Sequence, residues 1–96
     1  MSSKVYISDM YCTHCGNRGL NIPRKINKIR EPGHLKRLYC IYCKAETNHV
    51  EVRPFFNDYN LKDFKLEMQY HNFNEKGERI VPYRIFRGDL KQKGLY

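Results

Sequence analysis

Apolar and polar positions change rhythm just past the middle of this chain. Upstream, Thr47-Asn48-His49-Val50-Glu51-Val52-Arg53 alternates, which predicts a strand with Val50 and Val52 on one face and Glu51 and Arg53 on the other. Residues 19–30 mix β-branched with basic side chains around Pro23, which argues against a helix interior and predicts an edge strand or extended arm. Pro32-Gly33 marks a turn, and Leu35-Lys36-Arg37-Leu38-Tyr39 leads back, so these two segments are expected to pair as a hairpin. With 47–53 they would make a three-stranded antiparallel sheet, closed by Pro54.

Beyond residue 54 the period lengthens. Leu61, Phe64 and Met68 lie three and four apart, as one helix face requires, although Phe64, Leu66, Met68 and Tyr70 also alternate as in a strand. Asn60 decides for the helix, because it can cap the first turn with acidic Asp63 three residues on. Residues 83–90 read as a short second helix or an arm packing on the sheet, and 91–96 as a frayed end. The expected division is therefore 1–54 and 55–96, with the second segment packed on or beside the first.

The cysteines change this picture most. All four fall in two Cys-x-x-Cys pairs, Cys12/Cys15 and Cys40/Cys43. A two-residue gap lets both thiolates of a pair reach one ion from a tight turn, and two such pairs supply the tetrahedral set that structural zinc prefers. His14 and His49 are further candidate ligands, but four cysteines already close the site. A closed site leaves no position for an activated water, so the metal is expected to be structural and the protein not an enzyme. His71 and Glu67 stand four apart with no second metal-binding constellation around them. Gly16 suits the positive φ of a knuckle, whereas Lys44, in the matching place, would be slightly strained there.

A chain of 96 residues has a small core, for which a metal is a common anchor. The start is too mixed and short to be a signal peptide or membrane span, so the expected location is the cytoplasm, where thiols stay reduced.

The net charge is +8, and residues 18–53 hold nine Lys or Arg against three acids. Arg24, Lys25, Lys28, Arg30, Lys36 and Arg37 on an extended hairpin could follow a phosphate backbone, with Tyr39 and Tyr42 stacking on exposed bases. An acidic protein surface would be drawn by the same field.

From Cys12 to Arg53 the chain resembles the small zinc-ribbon protein of the bacterial large ribosomal subunit and its archaeal and eukaryotic counterparts. The resemblance rests on the first Cys-x-x-Cys, the basic segment, Leu35-Lys36-Arg37-Leu38-Tyr39-Cys40-Ile41-Tyr42-Cys43, and then Thr47-Asn48-His49. It implies a zinc ribbon that contacts RNA through its hairpin, with Thr47 and His49 bracing the second knuckle or touching RNA. Ribosomal members end soon after that signature, while this chain continues for some forty residues. Over its whole length it also looks like small zinc-ribbon proteins of bacteriophages of Gram-positive bacteria, acting in the host cytoplasm.

The expected fold is thus small α+β: a zinc ribbon of three antiparallel strands and two knuckles, with one or two short helices after it. The expected function is binding of RNA or DNA by a zinc-stabilised accessory protein, with Tyr42 and His49 joining the six basic residues. The alternative is a phage-encoded regulator or inhibitor that binds a host nucleic-acid enzyme, such as RNA polymerase or a defence nuclease, through the aromatics of residues 55–96. Neither reading involves a membrane or a small-molecule substrate.

Overall fold

A computed structural model describes residues 5–25, 33–53 and 59–96. Lys28, Arg30, Pro54, Phe55 and Phe56 lie outside the described residues.

Four strands, β1 (Val5–Cys12), β2 (Arg18–Lys25), β3 (Leu35–Cys40) and β4 (Ala45–Val52), form one antiparallel sheet in the order β2-β1-β4-β3. The expected three-stranded sheet is therefore corrected to four strands. The expected hairpin is corrected as well, because β2 and β3 do not pair and occupy opposite edges. The reason is local: each Cys-x-x-Cys segment turns its own hairpin. Gly16 N–H donates to Cys12 O at 2.9 Å and Cys12 N–H to Asn17 O at 3.0 Å, while Lys44 N–H donates to Cys40 O at 2.8 Å. Closing so short a loop costs little chain entropy, so each cysteine strand pairs with the strand just across its knuckle. The two hairpins then join through β1 and β4, with Cys12 opposite His49.

Central β4 is buried on both faces along residues 49–52. On one face Val50 and Val52 form the core with Tyr59 and Phe64, against which Tyr11, Leu35, Leu61, Met68, Phe73 and Tyr83 pack. On the other, β1 buries Tyr6, Ser8, Met10 and Cys12 in strict alternation. Glu51 and Arg53 face away from the valines as expected, yet both are buried. Glu51 accepts from Ser8 Oγ at 2.7 Å and from Arg24 Nη2 at 2.9 Å.

Helix α1 (Leu61–Gln69) starts where Asn60 predicted: its side chain accepts from Lys62 and Asp63 N–H, and Asp63 accepts from Asn60 N–H at 2.9 Å. Helix α2 (Tyr83–Gln92) follows. The end is not frayed, since Tyr96 Oη donates to Asp63 Oδ1 at 2.6 Å beside Tyr83 Oη at the same distance.

Between the helices, buried Glu67 takes hydrogen bonds from Tyr59 Oη, Asn72 Nδ2 at 2.6 Å and the Arg79 guanidinium at 2.7 and 2.9 Å. Arg79 also reaches Gly33 O at 2.9 Å, tying residues 59–96 to the start of β3. Burial, and then the Glu67 carboxylate, raise the Tyr59 phenol above the usual tyrosine range, so it remains a donor. No helix among the described residues is long and apolar enough to cross a membrane.

Candidate metal centre

Both hairpins turn at the same end of the sheet, and this brings together Cys12, Cys15, Cys40 and Cys43, whose sulfurs all lie within 4.8 Å of one another. They form a possible metal site. Cys12 Sγ is 3.8 Å from Cys43 Sγ, and Cys15 Sγ is 3.6 Å from Cys40 Sγ. A tetrahedral ion with bonds of about 2.3 Å to sulfur, the length zinc takes, would set its sulfurs about 3.8 Å apart. The spacing fits such an ion.

The knuckles also supply what thiolates need. The N–H groups of His14 and Cys43 point to Cys12 Sγ and Cys40 Sγ, each at 3.4 Å, and Thr47 Oγ1 lies 3.1 Å from Cys12 Sγ. Gly16 and Lys44 both take the positive φ of the turn, 74° and 56° respectively. Burial opposes ionisation of Cys12, but the bonds from Thr47, Cys15 and His14 outweigh it and lower the thiol to about 7. Cys43 is pushed up to about 12, by desolvation first and then by the neighbouring sulfurs of Cys40, Cys15 and Cys12. Four crowded sulfurs resist carrying charge together, and a dication between them would reverse that resistance.

Neither histidine belongs to the cluster. His14 is exposed. His49 is fully buried, its Nδ1–H donates to Thr47 O at 3.0 Å, and burial holds its ring below the usual imidazole range. A Cβ at Gly19 would come within 3.2 Å of its Nε2, so the glycine gives β2 room to pass over the ring. His49 is thus placed to brace β4 inside the sheet, with no surface of its own exposed.

No family model, curated protein or solved structure matches this chain.

The remaining candidate residues separate in space. Arg24 is held by Glu51 in a largely buried ion pair at 2.9 Å, which occupies the guanidinium. Lys25 is exposed on the β2 edge. Lys36 and Arg37 are exposed on the β3 edge, Arg37 with a loose 3.5 Å contact to Glu46. The second knuckle continues that edge with Tyr39 at 55% exposure, Ile41 at 67% and Tyr42 at 58%, followed by exposed Lys44. Ile41 and Lys44 were not expected from the sequence to be contact residues, although both sit in or beside the cysteine turn, where a side chain has little to pack against. Thr13, whose Oγ1 donates to Asn48 O at 3.0 Å, likewise had no pattern to reveal it.

Proposed function

We propose that this protein is a zinc-stabilised, non-enzymatic nucleic-acid-binding module whose contact surface is strand β3 with the second knuckle. The carrying observation is the exposure of Tyr39 and Tyr42 on one edge with Lys36, Arg37 and Lys44. Large aromatic rings left in water beside cations suit a single-stranded segment, whose bases stack on the rings while phosphates meet the charges. Zinc is the ion that best suits four thiolates at tetrahedral spacing, and its part is to hold the knuckle that presents Tyr42. The alternative, a regulator that binds a host protein through the aromatics of 55–96, would rest on residues such as exposed Tyr70 rather than on Phe64 and Phe73, which pack in or against the core.

Titration of fluorescent single-stranded RNA and DNA with the zinc-loaded protein tests this reading. Tyr39→Ala with Tyr42→Ala should weaken binding by about 1–3 kcal/mol per stacked base, tenfold or more. Unchanged affinity in the double variant would refute the assigned surface.

A further inference from the structure

The summed charge of residues 54–96, eight bases against six acids, hides a strongly basic surface. Two of the three carboxylates on α1 and α2, Asp63 and Glu67, are buried, and only Asp89 is exposed. Lys62, Lys65, Arg84, Lys91 and Lys93 are exposed, with Arg87 half-buried beside them.

These charges converge. The Tyr96 ring has the Arg87 guanidinium 4.6 Å from its centre, Lys62 Nζ at 4.8 Å and Lys91 Nζ at 5.8 Å, so one aromatic group gathers cations from both helices. Three and four residues apart, Arg84, Arg87 and Lys91 share one face of α2, and Lys65 lies one turn beyond Lys62 on α1. The α2 row spans roughly 10 Å at 1.5 Å rise per residue. Each strand of a duplex presents one charge per about 3.4 Å of helix axis, so a row of this length is long enough to meet more than one phosphate. The aromatic hydroxyls here turn inward, Tyr83 and Tyr96 both donating to Asp63, which leaves Lys62, Lys65, Arg84 and Lys91 as the exposed charges of this face, with Asp89 the exposed acid and Ile85 and Leu95 the exposed apolar residues. Protein interfaces, in contrast, deplete charge at their centre.

We infer that the paired face of α1 and α2 around Tyr96 is a second contact surface, taking the phosphate backbone of a nucleic acid without reading its sequence. The inference rests on the nucleic-acid reading above. The knuckle edge provides stacking and the helix face provides salt-dependent attachment, so the two surfaces fail differently.

The test compares the zinc-loaded protein with Lys62→Gln/Lys65→Gln/Arg84→Gln/Lys91→Gln, on single-stranded RNA, single-stranded DNA and a duplex of mixed sequence, across a salt series. Arg87 is left in place because it packs on Tyr96, and circular dichroism and zinc content check the fold. Four lost phosphate contacts should lower the slope of log K against log salt by about 3. A charge-keeping variant, Lys62→Arg/Lys65→Arg/Arg84→Lys/Lys91→Arg, should restore the slope, while Tyr39→Ala/Tyr42→Ala should weaken binding with the slope nearly unchanged. A wild-type slope in the quadruple Gln variant would overturn the helix-face assignment and leave the knuckle reading standing. Absence of any binding by the wild-type protein would overturn both. If polyglutamate bound as tightly as the oligonucleotides and lost affinity in the same variant, the partner would be an acidic protein and the inference would be wrong.

Discussion

The knuckle end and the helix end of this molecule are held together by different chemistry. At the knuckles, four sulfurs within 4.8 Å replace a core, and the surrounding Ile41, Tyr39 and Tyr42 remain in water. At the helix end, Val50, Val52, Tyr59 and Phe64 form a core, and Tyr59 joins it to a buried Glu67–Arg79 pair whose carboxylate has four donor groups on it. Where an ion can organise the chain, apolar residues are free to serve a surface. At the helix end aromatics and a fully satisfied ion pair do the organising.

The largest expected effect comes from taking the metal away. The structural zinc proposed for the four thiolates would supply on the order of 10 kcal/mol to folding, and the helices share Val50 and Val52 with the sheet. Chelation should therefore abolish slow amide exchange in β1 and β4 and in α1 alike. If α1 kept its protection after the strands had lost theirs, the shared core would not couple the two ends.

Next in size is Arg79→Ala, which leaves Glu67 buried without its countercharge. Breaking such a pair costs about 3–5 kcal/mol, and the zinc content of the folded fraction should stay at the wild-type level. Loss of metal in step with stability would mean that the helix end shapes the cysteine cluster directly.

Arg24→Gln is expected to cost less, about 2 kcal/mol at neutral pH, since Ser8 still bonds Glu51. Burial alone would raise the Glu51 carboxyl, but the Arg24 and Ser8 bonds prevail and hold it below its ordinary value. Stability from this group is therefore present above the unfolded carboxylate pKa and lost as pH falls through the folded one. Thermal midpoints of wild type and variant should differ at pH 7 and converge in acid; a constant gap would place the effect elsewhere.

Much of this contrast was legible in the residues and some of it was not. The cysteine pairs located the knuckles, and the Asn60 cap located α1, because both are signals that act over three or four residues. Strand β1 escaped notice since its inward face carries Ser8 among Tyr6, Met10 and Cys12, a polar residue whose place depends on Glu51, 43 residues away. The pairing of β2 with β3 was expected from Pro32-Gly33, but turns at the knuckles outcompete it. Arg24 was expected to be a cation free for phosphate because its partner, Glu51, stands on another strand, where no local pattern shows it. The Glu67–Arg79 pair joins residues 12 apart across a loop, a distance at which no helical or strand period speaks.

The most direct test of the account is the metal content of the folded chain, read as intact mass under native conditions. One zinc per chain is predicted, with Cys12→Ser, Cys15→Ser, Cys40→Ser and Cys43→Ser each lowering its retention. A metal-free mass with native amide protection, or full zinc retention in all four variants, would contradict it.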